Sequence, residues 1–394
     1  MPFAETYYSS DVYNHFELLS AEEQAAIKRL RPILDNQVKP FINEYWEAGE
    51  FPTQIIEPLV SGGFMNPTEV ISAGATPSGL YAGFRNFELA RTDVSTATFY
   101  NAVSGLWRTT INLGGSAEQA ATWDPQIADF AFTGVFGLTE ADHGSDIAGG
   151  LATSAVRDGD TWTINGGKRW IGGCSLVTYI AVFARDEADG KVKAFLVEKD
   201  APGVTLTKMK GKTSLRIMQN FDIDLKNVKV TEEMRLQNIN GFSDVAGLLR
   251  NMRSDVAWIA TGAQAGAYEA AVSYVKQREQ FGKPIASFQL VQEKLAHILA
   301  NLTASLSMIV RLTQQQDQGI YIDESSAMAK MFTAAKYRES AALAREIVGG
   351  NGILLETDVA RFHADAEAVY SYEGTHEINS LILGRAITGI GSFR

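Results

Sequence analysis

Apolar residues recur at helical spacing in the first third of the chain, in three segments: residues 21–34, 80–91 and 99–113. Ser20 precedes the first segment as a helix cap, and Glu23 stands in the position that completes a capping box. The interruptions Ser61-Gly62-Gly63 and residues 73–78 predict loops. We therefore predict an N-terminal α-helical domain over residues 1–131.

The period of the apolar pattern changes near residue 132, where short β-type runs bounded by turn residues begin. Asp158-Gly159-Asp160 lies between two of these runs and predicts a hairpin turn, because Gly supplies the positive φ that such a turn needs. We predict a middle antiparallel β domain over residues 132–240, with strands at residues 151–157, 161–164, 177–184, 193–198, 204–209 and 221–230.

Helical spacing returns after residue 240 and persists almost to the end of the chain. One apolar stripe extends over five turns from Val291 to Ile309, and residues 327–348 form another long Ala-rich helix. This pattern predicts a C-terminal α-helical bundle of four helices over residues 241–394. The order helices, strands, helices predicts an α+β fold. It lacks the alternating βαβ units and the Gly-rich fingerprint of a Rossmann sheet.

Composition and charge narrow the class of protein. A chain of 394 residues with 45% hydrophobic and 21% charged residues is an ordinary globular protein of two or three domains. The net charge of -11 disfavours nucleic acid and anionic membranes. Apolar stretches such as residues 177–184 are too short to span a bilayer, and residues 1–20 lack a secretory pattern, so we expect a cytoplasmic protein.

Cysteine and histidine usage predicts no metal site. Cys174 is the one cysteine, and beside Gly172 and Gly173 we expect it to be a small packed side chain. The five histidines show no ligand spacing.

Two motifs of the predicted β domain are candidates for binding. Residues 137–146 are rich in Gly and hydroxyl side chains, which usually means a turn but also suits carbonyl and phosphate groups. Trp170 follows Lys168 at a predicted strand end. Such a Trp is usually core, but beside several glycines it also suits stacking on a flat ring.

Three motifs of the C-terminal region have the same double interpretation. Arg278 either complements a helix dipole or binds a pyrophosphate, with Gln289 bonding a sugar or base. The glycines of residues 346–352 end a helix, but three are more than a cap needs. Glu373 before Gly374 is usually solvated, but in an apolar cleft burial would raise its pKa and make it a competent base.

Taken together and in this order, these stretches resemble the acyl-CoA dehydrogenase family. Residues 137–149 and 346–365 are similar to its two sequence patterns, and residues 372–378 and 381–390 are similar to the C-terminus of glutaryl-CoA dehydrogenases. The resemblance covers about residues 132–393. It implies a homotetramer of three-domain subunits, an oxidoreductase of fatty acid or amino acid catabolism, and an electron-transferring flavoprotein as acceptor.

The resemblance also implies FAD, bound between the β domain and the bundle and completed by a neighbouring subunit. Six residues would contact the flavin and its ribityl chain: Phe136, Leu138, Thr139, Ser145, Trp170 and Ile171. Eight would contact the rest of the cofactor or meet it across the subunit contact: Arg278, Phe281, Gln289, Glu346, Gly349, Gly350, Thr375 and Glu377. Gly172 stands where the family often has Thr, so that one flavin hydrogen bond would come from backbone.

For the reaction, the resemblance implies that Glu373 takes the α-proton of an acyl-CoA thioester while the β-hydrogen leaves as hydride to flavin N5, which gives the 2-enoyl-CoA. Ser145, Arg253 and Gly374 would contact the CoA thioester. Hydrogen bonds from the Glu373 N–H and a ribityl hydroxyl to the thioester oxygen would stabilise the enolate as it forms.

The sequence departs from the glutaryl-specific relatives at two positions. The Arg that binds the substrate carboxylate falls at Ala97, and its companion Glu falls at Ala90. A dicarboxylate would lose its counter-ion in a dry pocket unless Arg91 or Arg108 compensated. We therefore expect a substrate other than glutaryl-CoA.

Two alternatives stay open. An acyl-CoA oxidase of the same fold would pass electrons to oxygen and release peroxide. A flavin-containing DNA-associated protein would need a basic C-terminal face, and here Arg385 and Arg394 stand in an acidic chain.

Overall fold

The computed structural model describes residues 6–392. Residue 393, the last of the resemblance, and Arg394 lie outside the described residues. The chain divides into two compact units. The helical unit comprises residues 6–98, 213–217 and 253–392, and the β unit comprises residues 99–212 and 218–252. The predicted domain boundaries at residues 131/132 and 240/241 stay a prediction.

The first helices of the chain are α1 (Ala21–Ile33), α2 (Lys39–Ala48), α3 (Ile56–Ser61), α4 (Thr68–Ser72), α5 (Gly79–Thr92) and α6 (Val94–Asn101). The predicted capping box at the start of α1 is confirmed. Ser20 Oγ accepts from the Glu23 N–H at 3.2 Å, and Glu23 Oε2 accepts from the Ser20 N–H at 3.0 Å. These two bonds fix the start of the helix.

The C-terminal helices are α10 (Phe242–Gln277), α11 (Gln289–Asp317), α12 (Asp323–Val348), α13 (Val359–Ser371) and α14 (His376–Thr388). A two-stranded hairpin of β8 (Glu279–Gln280) and β9 (Lys283–Pro284) connects α10 to α11. Helix α12 packs against α11, α13 and α14. The bundle therefore positions the α13–α14 turn, which contains Glu373.

The core of the helical unit joins N-terminal and C-terminal helices. Its buried members include aromatic residues of the first helices, Trp258 of α10 and the apolar stripe of α11, namely Phe16, Tyr81, Phe84, Phe87, Trp258, Leu302, Leu306 and Ile309. Among the described residues, α11 is the helix long and apolar enough to cross a membrane by length and composition. Buried core helices pass the same test, and the α11 stripe is buried here from Ile298 to Ile309.

The β unit contains α7 (Trp107–Gly114), α8 (Ala117–Ala128), α9 (Ile147–Gly150) and a seven-stranded sheet. The strand order is β1-β4-β2-β3-β7-β6, and β5 pairs with β4. The strands are β1 (Gly134–Gly137), β2 (Ser154–Asp158), β3 (Thr161–Gly172), β4 (Tyr179–Asp186), β5 (Val192–Glu198), β6 (Val204–Lys208) and β7 (Asn220–Thr231).

The sheet is mixed, whereas the sequence predicted an antiparallel one. β4 pairs in parallel with both β1 and β2, and the other pairs of the sheet are antiparallel. Side-chain alternation has the same period in both pairings, so the pattern could not distinguish them. The predicted turn at Asp158-Gly159-Asp160 does join β2 to β3, with φ of 59° at Gly159.

Candidate active site

Glu373 lies in the turn between α13 and α14, with its backbone in an unusual conformation. Its φ is 51°, in the left-handed region that a residue other than Gly seldom adopts, and Gly374 follows with φ of 89°. The φ of Gly374 favours Gly, and a Cβ at this position would also be crowded against the Asn379 amide nitrogen, at 3.1 Å. The left-handed backbone of Glu373 costs of the order of 1–3 kcal/mol, and it persists because the surrounding structure imposes it.

Hydrogen bonds from side chains of α12 and α14 hold this turn. Lys330 Nζ, on α12, donates to the carbonyl oxygens of Tyr370 at 2.9 Å and Gly374 at 2.7 Å, on either side of Glu373. Asn379 Nδ2, on α14, donates to Gly374 O at 2.9 Å and Thr375 O at 3.0 Å. These bonds fix the backbone of the turn, and none of them engages the Glu373 carboxyl.

The Glu373 carboxyl is in a dry environment. Its Oε2 is buried and has no hydrogen-bond partner among residues 6–392. Burial and, second, the Asp255 carboxylate raise the pKa of Glu373 to about 8, while Lys330 and Arg253 act in the opposite direction. A carboxyl with these properties is a proton acceptor suited to neutral or mildly alkaline pH.

A second cluster lies in the β unit, in the loop that follows β1. Glu140 is buried and accepts from the backbone N–H groups of Ala152 at 2.7 Å and Thr153 at 3.0 Å, and from Lys168 Nζ at 2.7 Å. Lys168 also donates to Leu138 O at 3.2 Å. This buried network fixes the loop against β3.

Trp170 emerges from an irregularity in β3. The pairing of β3 with β7 shifts between Lys168 and Ile171, and Trp170 has φ of 66°. Trp170 is 53% exposed, although the strand around it is largely covered. A bulge turns a side chain out of the sheet in this way, so that the ring is presented as a platform. The preceding residue joins this platform to the loop, since the Arg169 N–H donates to Thr139 O at 2.8 Å.

The predicted cofactor residues of the β unit fall into this one region. Thr139 and Leu138 lie in the fixed loop, Ile171 is buried beside Trp170, and the Phe136 ring packs on Phe183 with centroids 4.7 Å apart. Ser145 is exposed in the same loop. Their contact with FAD stays a prediction.

The remaining predicted residues lie in the helical unit. Arg253 pairs with Asp323 at 3.7 Å, and Thr375 caps α14, where its Oγ1 accepts from the Ile378 N–H at 3.2 Å. Those predicted to meet the cofactor across a subunit contact are all exposed, and so is Glu377: Arg278, Phe281, Gln289, Glu346, Gly349 and Gly350. Glu346 accepts from Lys294 at 2.5 Å. Their roles also stay predictions.

Arg91 and Arg108, the two residues that could compensate for Ala97 and Ala90, are paired with carboxylates of the protein itself. Arg91 donates to Glu88, Glu269 and Asp35 at 2.8–3.0 Å within the helical unit. Arg108 donates to Asp124 at 2.6 and 2.7 Å within the β unit. Both guanidinium groups therefore already hold carboxylate partners, which argues against their use as a substrate counter-ion.

Sequence reasoning missed Asp255 and Lys330. Asp255 directly precedes the apolar run 256–260 of α10, and Lys330 is a fully buried cation on an Ala-rich face of α12. A single charge within a run of buried residues is the signal that could have indicated them. The interpretation of Cys174 is consistent with its full burial, which raises the pKa of the thiol to about 12.

Three family models match most of the chain. They are described as the acyl-CoA dehydrogenase N-terminal domain, matched at residues 20–131, middle domain, at residues 135–228, and C-terminal domain, at residues 240–388.

Individual proteins are similar over nearly the whole length. A probable acyl-CoA dehydrogenase, YngJ, of Bacillus subtilis is 30% identical over 95% of this chain and 99% of its own. The caffeyl-CoA reductase–Etf complex subunit CarC of Acetobacterium woodii is 30% identical over 87% and 91%. The crystal structure of a glutaryl-CoA dehydrogenase from Mycobacterium smegmatis in complex with FADH2 superposes with a TM-score of 0.91, at 30% identity over 98% and 100% of the two chains.

Proposed function

Because the chain belongs to the acyl-CoA dehydrogenase family, a family of oxidoreductases, we propose that it dehydrogenates an acyl-CoA thioester to the 2-enoyl-CoA with Glu373 as the base. One observation carries the proposal. Oε2 of Glu373 is buried and without a hydrogen-bond partner among the described residues, and the pKa of this carboxyl is raised to about 8. A structural carboxylate would be paired, whereas a base for a carbon acid needs a lone pair that is not engaged.

The residues present fit FAD as the cofactor. An exposed indole at Trp170, beside Gly172 and a loop fixed by Glu140 and Lys168, is a suitable platform for a flat ring. We propose that Phe136, Leu138, Thr139, Ser145, Trp170 and Ile171 hold it, as the FADH2 complex of the relative supports. When bound, FAD supplies the acceptor for the β-hydrogen as hydride.

The chain's own groups supply the proton chemistry. Glu373 Oε2 takes the α-proton, and Lys330 and Asn379 keep the turn in place while it does so. Within residues 6–392 the Glu373 N–H donates to no acceptor, so it is available to the thioester oxygen. A backbone donor at the site of the developing enolate stabilises it without reorganisation.

The proposed reaction is tested by mixing the FAD-loaded protein anaerobically with straight-chain, branched and dicarboxylic acyl-CoAs and following loss of flavin absorbance. We expect bleaching with at least one monocarboxylic acyl-CoA and formation of the 2-enoyl product. Glutaryl-CoA should react far more slowly, because Ala97 and Ala90 replace the ion-pairing residues. A protein that binds FAD but is bleached by none of these thioesters would contradict the proposal.

The raised pKa of Glu373 predicts the pH dependence of the reaction. The base is active when ionised, so kcat/KM should rise about tenfold per pH unit below about pH 8 and level off above it. Asp255→Asn should move this limb to lower pH, because it removes a negative charge that opposes ionisation. Steady-state assays from pH 5 to 9.5 measure this limb in the wild-type protein and in Asp255→Asn. A limb below pH 6 in the wild-type protein would show that Glu373 is not the titrating base.

We propose an electron-transferring flavoprotein as the acceptor, as the reductase–Etf relative supports. The same relative favours a second direction of the reaction, reduction of a 2-enoyl-CoA. Reaction of the photoreduced protein with enoyl-CoAs would distinguish the directions, and oxygen consumption with peroxide release under turnover would indicate an oxidase instead.

We further propose that the protein is a homotetramer. Several large apolar side chains of the helical unit are exposed, including Phe281 at 93%, Leu290 at 76%, Ile387 at 82% and Ile390 at 74%. Sedimentation velocity should give four times the chain mass of 42.9 kDa. Phe281→Asp should shift the protein to smaller species and lower its FAD content, whereas Tyr13→Asp, at another exposed aromatic ring, should do neither. A monomeric wild-type protein with full FAD content would contradict the proposal.

A further inference from the structure

Asp255 of α10 is a carboxylate in dry surroundings that the proton transfer does not use. Within residues 6–392 its hydrogen bond comes from Asn86 Nδ2, at 3.4 Å, and it forms no ion pair. Burial raises the pKa of Asp255 to about 6, and Arg85 acts in the opposite direction. Asp255 thus retains acceptor capacity that the described protein groups do not fill and that a ligand group can take up in place of water.

The carboxylate is held in position by a chain of buried polar groups. Arg85 Nη1 donates to Phe64 O at 3.2 Å, and Arg85 Nη2 donates to Asn86 Oδ1 at 3.5 Å. The Asn86 amide is thereby oriented with its NH₂ group towards Asp255. Arg85 and Asn86 are both buried, at 6% and 1% exposure, whereas Asp255 keeps part of its surface accessible. An ordered carboxylate that is partly accessible within a dry region is arranged to receive a ligand group.

Asp255 belongs to the surroundings of the catalytic turn. Its charge acts on Glu373, so two carboxylates already share this region of the helical unit. Ala90 and Ala97 are fully buried and supply no cation. Lys330 and Arg253 also act on Glu373, but at the Asp255 carboxylate itself a further negative charge would be repelled, and a positive charge or a hydrogen-bond donor would be attracted.

We propose that Asp255 selects the acyl group: it accepts a hydrogen bond from, or pairs with a positive charge on, the far end of the acyl chain, and it disfavours a chain that ends in a carboxylate. This inference rests on the proposed dehydrogenation. It makes Asp255 a specificity-determining residue for substrates with a positively polarised acyl end.

The test compares acyl-CoAs of matched length by anaerobic flavin bleaching. Pentanoyl-CoA is the apolar reference, 5-hydroxypentanoyl-CoA adds a neutral donor, 4-(trimethylammonio)butyryl-CoA adds a charge without a donor, and glutaryl-CoA adds a carboxylate. We expect kcat/KM about tenfold or more above the reference for the hydroxyl or the ammonium substrate, the value of one hydrogen bond to a charged group. The faster of the two shows whether Asp255 prefers a hydrogen-bond donor or a positive charge. Glutaryl-CoA should fall at least tenfold below pentanoyl-CoA.

Asp255→Asn should bring the preferred substrate within about twofold of pentanoyl-CoA. Ratios between substrates cancel the effect of this variant on the pKa of Glu373. Asp244→Asn, on the same helix, should keep the wild-type ratios. In the Glu373→Gln background, which does not turn over, calorimetric titration with the preferred substrate should show the same loss of affinity on Asp255→Asn.

The outcomes separate the two proposals. If pentanoyl-CoA bleaches the flavin but the wild-type protein ranks the four substrates equally, or if Asp255→Asn keeps the wild-type ranking, the role of Asp255 is wrong and the dehydrogenation stands. If no thioester bleaches the flavin, both fail. Should Asp255→Asn not fold, the ranking by the wild-type protein decides alone.

Discussion

Glu373→Gln should retain FAD, and its rate of α,β-dehydrogenation should fall about a thousandfold, since general-base catalysis contributes a rate factor of roughly 10²–10⁴. The amide keeps the shape of the carboxyl but has no lone pair basic enough to accept the α-proton. Stopped-flow bleaching of the flavin under anaerobic conditions measures the loss directly. The flavin content and the far-UV spectrum of the variant should match those of the wild type.

The matched control is Glu367→Gln, one helix turn before the catalytic turn. Glu367 is exposed on α13 and pairs with Arg338 at 2.9 Å, so its amide should leave the bleaching rate within about twofold. If Glu373→Gln bleached at the wild-type rate, another carboxylate would be the base. Asp255, whose charge acts on Glu373, would then be the first to examine, and Glu373→Gln/Asp255→Asn would decide.

Local signals in the sequence predicted the local structure well. The capping box of Ser20 and Glu23 and the hairpin at Gly159 depend on residues within four positions of one another, and both are present. The resemblance to acyl-CoA dehydrogenases is confirmed by the three family models. It rested on segments whose glycines and charges occur in a fixed order.

Features that depend on distant residues could not be predicted in the same way. The parallel pairing of β4 with β1 and β2 leaves the alternation of side chains unchanged. The exposure of Trp170 depends on a register shift against β7, which the pattern within β3 does not encode. Asp255 and Lys330 affect Glu373 only because α10, α12 and the α13–α14 turn are brought together by packing. Effects that arise from contacts between distant segments can be identified only from the structure.

Buried charges link distant segments of the helical unit as well. Arg361 of α13 is 1% exposed and donates to Asp93 Oδ2 at 2.8 Å, Asp358 Oδ1 at 2.8 Å and Asn43 Oδ1 at 2.7 Å. Asp365, one turn further along α13, accepts from the Leu215 N–H at 2.6 Å. Burial and then the Asp93 charge raise the pKa of Asp365 to about 7. Arg361 is thus the cation that compensates this acidic cluster.

Arg361→Met should therefore destabilise the protein by about 3–5 kcal/mol, because it leaves Asp93 buried without its cation. Arg338→Met, which breaks the exposed pair with Glu367, should cost no more than about 1 kcal/mol. Both Met variants keep most of the apolar stem of the side chain and remove the guanidinium group, so that the difference between them reports burial of the charge. Urea unfolding at one protein concentration measures both, because subunit association would otherwise shift the midpoints. Equal losses in the two variants would mean that Asp93 is compensated by other groups, and that Thr96, whose N–H and hydroxyl donate to Asp93 at 2.7 and 2.9 Å, is enough to hold it.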